Sequence, residues 1–357
     1  MKIASIFHSI LHYRGFLLLF ATVSFAMSGL GRAQIYVGQN GSNTIGSYDT
    51  ATGIPLNAGL VTGLNQPQGL TLSGGTLYVA NTGGNTIGTY DAATGTAINA
   101  SFISDVAVPI GIAVSGNNLF VVNVGSNTIR EYNATTGTLM NASFVAPAGL
   151  VNPWALAVSG NTLFVSNQSG PGGNSIGAYD ATTGATINSL FITGLSNPDA
   201  IAVSGGNLFV ANSTGNTVGK YDATTGAVMS ANFITALPGF STPAGLAVSG
   251  NRLFVEYGDG PVAEYNATTG ALVNGSFITG LSQPMSLAIA DVPEPASLTL
   301  VAIGGLALLG RSTRRGGALM VERAFRAPFP KRECANCMRA KGPAKCHPRA
   351  TPWVIGD

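Results

Sequence analysis

A short polar segment recurs six times in this sequence, and its carboxylates are the first candidates for chemistry. It reads Asp-Ala-Thr-Thr-Gly or a close variant, and its copies begin at Asp49, Asp91, Asn133, Asp180, Asp222 and Asn266. Asn replaces Asp in two copies, which a turn tolerates but a catalytic carboxylate does not. Such a side chain accepts hydrogen bonds from N–H groups two or three residues on, and Gly supplies a positive φ. We therefore predict a turn rather than a site present six times.

Histidine is missing from the central part of the chain. The three His are His8, His12 and His347, and neither His nor Cys lies between residues 34 and 291. A His-dependent metal or acid–base site is thereby excluded from that region, as is a nucleophile with a His base. A Ca²⁺ site built only from carboxylate, amide and backbone oxygens stays open, because hard cations accept those ligands.

The last segment, residues 316–357, is basic and rich in Pro. It contains four side chains of the types that bind zinc, namely Cys334, Cys337, Cys346 and His347. The last two are adjacent, which hinders both from facing one tetrahedral ion. We favour a disordered tail over a metal site. Because every Cys lies in this tail, we expect no disulfide in residues 34–291.

The repeated segment recurs at the length of one propeller blade. Each copy follows a Tyr, and these are Tyr48, Tyr90, Tyr132, Tyr179, Tyr221 and Tyr265, with spacings of 42, 42, 47, 42 and 44 residues. One repeat, taken over 67–103, holds four short segments of alternating β-favouring residues bounded by Gly, Asn or Ser. This pattern predicts four-stranded blades that must stack on their neighbours.

The phase of the repeat at the two ends predicts how the ring closes. Residues 34–40 match the second strand of a repeat, and residues 284–292 match a first strand. The last strand can therefore complete the first blade, which removes exposed sheet edges. We predict an all-β, six-bladed β-propeller over residues 34–291.

Two features of the repeat resemble a known family. The stretch "LYVANTGGNTIGTYD" at 77–91 and the preceding P-x-G-[LI]-A-V-S-G pattern are similar to NHL repeats and to gluconolactonase-like propellers. The resemblance implies a fold more than a chemistry. Enzymes among these relatives use His, or carboxylates around a divalent cation, in the central channel.

Positions that differ between repeats are free to serve a ligand. In the resembled propellers the residue after the first-strand Pro lies near the channel mouth, and here these residues are Gln68, Ile110, Trp154, Asp199, Ala244 and Met285. Trp154 with Asp199 and Gln68 would offer a stacking surface and polar groups to a sugar or another small polar ligand. The alternative is that these side chains only fill the channel.

Glu256 and Tyr257 form a second irregularity. Glu256 stands where the other repeats have Gly, Ala, Val or Ser, and Tyr257 replaces the usual Asn or Gln. We include both among the ligand-binding candidates of the channel mouth. The other interpretation, an exposed rim, is the one we favour for Glu256.

Residues 1–33 have the organisation of a signal peptide. Basic Lys2 and Arg14 precede an apolar run at 15–27, and cleavage is expected after Ala33. The alternative, a membrane anchor, is disfavoured because a run of about 13 residues is shorter than the roughly 20 that a spanning helix needs.

Residues 292–315 resemble the PEP-CTERM sorting signal of Gram-negative bacteria. Pro293, Glu294 and Pro295 precede an apolar stretch at 296–310, and the basic residues that follow are Arg311, Arg314 and Arg315. The resemblance implies processing by an exosortase-type enzyme, with membrane contact only through this short segment before processing. The alternative is an ordinary C-terminal anchor. The tail at 316–357 departs from the family pattern, which ends close to the arginines.

Charge excludes one class of partner. The whole chain has 17 basic and 15 acidic residues, but residues 34–291 have three basic and eleven acidic ones, a net charge of −8. Nucleic acid is therefore not an expected partner, because it needs a basic surface. We expect an exported, non-catalytic propeller at the cell envelope or outer surface that acts in matrix, adhesion or ligand binding, with an extracellular polysaccharide or surface protein as partner and no cofactor. The alternative is a lactonase- or lyase-type enzyme with a carboxylate-bound Ca²⁺ in the channel.

Overall fold

The structure is a computed structural model that describes residues 33–290, apart from 146–148, 169, 171, 236, 241 and 259. The signal peptide predicted at 1–33 lies outside the described residues except for Ala33. The sorting signal at 292–315 and the tail with its Cys and His residues lie outside them entirely.

The first three blades are built as follows. Blade 1 contains β1 (Gln34–Gln39), β2 (Thr44–Asp49), β3 (Pro55–Val61) and the last strand, β24 (Pro284–Ala290). Blade 2 contains β4 (Pro67–Ser73), β5 (Thr76–Asn81), β6 (Thr86–Asp91) and β7 (Ala97–Ile103). Blade 3 contains β8 (Pro109–Ser115), β9 (Asn118–Asn123), β10 (Thr128–Asn133) and β11 (Leu139–Val145).

The other three blades repeat the pattern. Blade 4 contains β12 (Pro153–Ser159), β13 (Thr162–Asn167), β14 (Ser175–Asp180) and β15 (Thr186–Ile192). Blade 5 contains β16 (Pro198–Ser204), β17 (Asn207–Asn212), β18 (Thr217–Asp222) and β19 (Val228–Thr235). Blade 6 contains β20 (Pro243–Ser249), β21 (Arg252–Tyr257), β22 (Val262–Asn266) and β23 (Leu272–Ile278). Single 3₁₀ turns at Thr82–Gly84 and Val124–Ser126 follow β5 and β9.

The predicted six-bladed propeller, with four-stranded antiparallel blades, is confirmed. Strand β24 pairs with β1, with Ile35 opposite Ile289 and Gln34 opposite Ala290, so blade 1 has the order β24-β1-β2-β3. The innermost strands of the blades are β24, β4, β8, β12, β16 and β20, and each contacts the next around the ring. The ring thus closes between the ends of the propeller, as the phase of the repeat predicts.

The core lies in layers between neighbouring blades. The second strand of each blade is almost wholly buried, as in β5, whereas the first five residues of the outer strand β3 are exposed. One cluster joins Tyr78 and Ile87 of blade 2 to Leu119 and Val121 of blade 3. Because each layer needs two blades, burial of apolar surface stabilises the ring only when the blades stack.

The recurrent turn also joins neighbouring blades. The Asp91 Oδ1 atom accepts hydrogen bonds from the N–H groups of Ala93 (3.1 Å) and Thr94 (2.8 Å), as predicted. Asn133 accepts the equivalent pair at 3.0 and 2.9 Å, so the amide serves as well as the carboxylate. Gly95 has a φ of 72°, and a Cβ there would collide with the carbonyl oxygen of Leu60 in blade 1. The glycine is therefore required by the contact as well as by the turn.

Substitution of this glycine tests the contact. Gly63 has the same φ of 72°, but no described residue would meet a Cβ at that position. Gly63→Ala should lower the free energy of unfolding by about 1–2 kcal/mol through backbone strain alone. Gly95→Ala should lower it by at least about 1 kcal/mol more, because Leu60 must move. Urea unfolding of both variants measures the difference, and equal losses would show that the blade contact is unimportant.

Candidate functional site

The residues that follow the first-strand prolines meet around one central cavity. Its volume is about 110 Å³, and its wall is formed by the beginnings of the six innermost strands. The residues concerned, called the mouth residues below, are Gln68, Ile110, Trp154, Asp199, Ala244 and Met285. The structure therefore brings together three of the five candidates from the sequence, namely Gln68, Trp154 and Asp199.

The order of the blades places two of these residues on neighbouring strands. Trp154 begins the innermost strand of blade 4 and Asp199 that of blade 5, and these strands are neighbours. Ala244 of blade 6 lies on the other side of Asp199 and leaves space there. Gln68 belongs to blade 2, across the channel from Asp199. An aromatic ring and a carboxylate thus share one side of the mouth.

Asparagine side chains fix the start of the innermost strands. The Asn174 Oδ1 atom accepts a hydrogen bond of 2.9 Å from the N–H of Asn197, which precedes Pro198 and has a φ of 53°. Four further Asn make the same contact from one blade to the next, namely Asn43 to Gln66, Asn85 to Val108, Asn127 to Asn152, and Asn216 to Thr242. These bonds hold left-handed residues that lie two positions before five of the six mouth residues.

Neutral groups surround the carboxylate of Asp199. Its Oδ1 atom accepts hydrogen bonds from Gln168 Nε2 (2.5 Å) and Asn197 Nδ2 (2.9 Å). Asn197 Nδ2 also donates to Ser213 Oγ at 2.8 Å, and Asn152 Nδ2 donates to Gln168 Oε1 at 3.3 Å. The sequence argument missed Gln168, Asn197, Asn152 and Ser213. Gln168 could have been found as the mouth residues were, by its departure from the repeat. It follows β13, whereas Thr82 and Val124 stand at the same position after β5 and β9.

The surroundings of Asp199 keep its carboxyl group titratable near neutral pH. Burial raises its pKa to about 6, and the hydrogen bonds from Ser213 and Gln168 oppose that rise. The carboxyl group is therefore largely ionised at pH 7 and protonated at pH 5. A ligand that favours the ionised form would have to overcome this desolvation.

Glu256 is buried, and the exposed rim favoured for it from the sequence is wrong. Its exposed fraction is 0%, and it pairs with Gly245 of the neighbouring innermost strand. A Cβ at Gly245 would collide with the Glu256 carboxylate, so the glycine makes room for it. Gly245 lines the cavity and Glu256 stands behind it, outside the wall. The prediction that placed Glu256 at the channel mouth is therefore also wrong.

The carboxyl group of Glu256 is held without a partner. Both of its oxygens are buried and make no hydrogen bond within the described part of the chain. Burial raises its pKa well above the usual 4.5, because the charged form is disfavoured away from water. The buried site therefore favours the protonated form of Glu256.

Tyr257 belongs to the core of blade 6 and is not a mouth residue, which corrects the second placement made from the sequence. It is 1% exposed, and its hydroxyl lies 2.8 Å from that of Tyr265. Its ring packs against Phe240, with 6.5 Å between the ring centroids. The Asn at this position in blade 2, Asn81, instead accepts a hydrogen bond from the N–H of Asn65. Aromatic packing replaces that polar contact in blade 6.

Metal ligands do not converge in the part of the chain that the structure describes. No three side chains of His, Cys, Asp or Glu there lie close enough to hold an ion together. The cavity wall offers Asp199 as its single carboxylate. Among the same residues, no helix is long and apolar enough to cross a membrane.

Comparison with known families decides the type of repeat. A family model described as outer membrane protein assembly factor BamB matches residues 41–194 and 172–319. The chain belongs to this BamB repeat family. The finer resemblance to NHL repeats stays a prediction. None of the curated proteins matches the chain.

One solved structure supports the fold of this family member. A chain from the crystal structure of a nidogen/laminin complex is similar at a TM-score of 0.61 with 14% identity, over 73% of this chain and 99% of that one. A computationally designed protein, Ika8, is similar at a TM-score of 0.44 with 18% identity, over 72% and 75%. At this identity the first likeness shows the propeller fold alone.

The buried acid gives a prediction for the pH dependence of stability. Between the usual pKa of Glu and its raised value in the fold, unfolding releases a proton, so stability falls as pH rises. The loss is about 1.4 kcal/mol per pH unit over that window. Glu256→Gln should remove this contribution and make the protein more stable than wild type at pH 8, with a smaller difference at pH 5. Urea unfolding at both pH values measures it, and a constant difference would contradict the burial of an unpaired acid.

Proposed function

We propose that this member of the BamB repeat family is an exported, non-catalytic propeller that binds a ligand at its channel mouth. The observation that carries the proposal is the convergence of Trp154 and Asp199, two residues that break the repeat, on one side of the central cavity. Residues that only filled the channel would need no buried carboxylate with a raised pKa. Burying such a group costs stability, which a binding role accounts for.

The proposed site of action is the cell envelope or outer surface of a Gram-negative bacterium, in matrix formation, adhesion or ligand binding. The family is named for an outer membrane assembly factor, which supports an association with the envelope. The predicted signal peptide and the PEP-CTERM-like segment support export and exosortase-type processing. An extracellular polysaccharide or a surface protein is the partner we propose.

The described ends of the chain lie away from the mouth. Gln34 at the start of β1 pairs with Ala290 at the end of β24, so these two ends lie at the same face of the propeller. The mouth residue of blade 1, Met285, lies at the opposite end of β24.

Replacement of the sorting motif tests the proposed location. Pro293, Glu294 and Pro295 changed together to Ala should leave the protein unprocessed in the membrane fraction of a host that has an exosortase. Cell fractionation and the apparent mass report the outcome, with Cys334→Ser in the tail as control. If the triple variant is processed and located like wild type, the sorting proposal is wrong.

Calcium separates this proposal from the enzyme alternative. A lactonase- or lyase-type site needs carboxylates around a divalent cation, and Asp199 is the single acid in the described cavity wall. We expect Ca²⁺ and EDTA to leave the melting temperature unchanged. A rise with Ca²⁺ that disappears in Asp199→Asn would instead favour the enzyme.

A further inference from the structure

The only charge in the described part of the cavity wall is negative. Asp199 is the only charged side chain among the described lining residues, and none of them is Lys, Arg or His. Its hydrogen-bond partners are neutral amides and a hydroxyl, so no cation among the described residues neutralises it. A ligand that enters this cavity meets a negative charge without a counter-charge.

Trp154 adds a preference for organic cations as ligands. Among aromatic side chains, the indole ring attracts organic cations through its face most strongly. It lies beside Asp199, and Ala244 on the far side of that residue leaves room for a ligand group. An aromatic face next to an uncompensated carboxylate favours a nitrogen cation over an anion or a neutral sugar. A metal ion would gain nothing from the indole and would find one carboxylate.

The size of the cavity limits what can enter. A volume of about 110 Å³ is somewhat smaller than an engineered cavity of about 150 Å³ that binds benzene. That is enough for the head group of a ligand, with the rest of the molecule extending out of the mouth. A guanidinium group or a primary ammonium with its first carbons fits this limit.

We propose that the channel mouth binds the head group of an organic ammonium or guanidinium compound between the indole of Trp154 and the carboxylate of Asp199. This inference rests on the proposed binding function of the channel and specifies its ligand class.

The proposal implies a pH dependence with a defined direction. The cation needs the ionised form of Asp199, whose pKa in the free protein is about 6. The innermost strands β4, β8, β12, β20 and β24 carry no other titratable side chain. Glu256 lies behind Gly245, where burial favours its protonated form. Affinity should therefore be constant above pH 7 and fall about tenfold per pH unit well below pH 6.

Calorimetric titration of the purified full-length chain tests the proposal. The probes are methylguanidinium and 1,4-diaminobutane, and N-methylurea is the neutral counterpart of the first in shape. We expect saturable binding of the two cations and at least tenfold weaker binding of N-methylurea. Asp199→Asn and Trp154→Leu should each weaken cation binding at least tenfold. Asp222→Asn should not, because it makes in blade 5 the exchange that Asn133 and Asn266 already show in blades 3 and 6.

Two outcomes would overturn the inference. Only the first of them leaves the channel as a binding site. If N-methylurea or glucose binds as well as the cations and Trp154→Leu abolishes that binding, the cation preference is wrong but the channel is still a binding site. If no probe of any charge binds to a wild-type protein that melts cooperatively, the inference fails together with the proposed role of the channel. Thermal melts of every variant exclude misfolding as the cause.

Discussion

Strand β24 pairs with β1, so residues 284–290 complete the blade that residues 34–61 begin. This pairing closes the ring, and the position of every other element depends on it. Each blade buries its faces only against its neighbours, and a ring with an open seam would expose one layer of the core on both sides. Closure also sets the six innermost strands around one axis. The mouth residues meet because each occupies the same place in its strand.

Repeated and variable positions have different roles in this ring. The repeated turn glycines lie against the carbonyl groups of the preceding blade, as Gly95 does against Leu60. The repeated asparagines hold the residues that lead into the innermost strands, as Asn174 does for Asn197. Once such contacts are satisfied by repeated residues, the position after each proline is free to vary. Trp154 and Asp199 can then differ from Ile110 and Ala244 without any change in the backbone that carries them.

The sequence predicted most of this architecture because its signals are local and are repeated six times. Strand alternation, turn chemistry and the phase of the first and last strands are all visible in the residues themselves. Glu256 was misjudged because its burial depends on Gly245 in a neighbouring strand, a cross-strand relation that alternation does not show. Tyr257 was misplaced because its partner Phe240 lies in the loop between blades 5 and 6. The polar contacts of Asp199 involve Gln168, which lies outside the strands. The alternation of residues within strands therefore does not predict this contact.

The central claim is that repeated residues build the ring and that the variable mouth residues serve a ligand. The most direct test is the thermal unfolding of one variant in which Gln68, Trp154 and Asp199 are all replaced by Ala, the residue that blade 6 has at this position. The account predicts cooperative unfolding within about 5 °C of wild type, since the inter-blade contacts are untouched. It also predicts that the stabilisation of wild type by saturating methylguanidinium is lost in the variant. A variant that fails to fold, or one that methylguanidinium stabilises as much as wild type, would contradict the account.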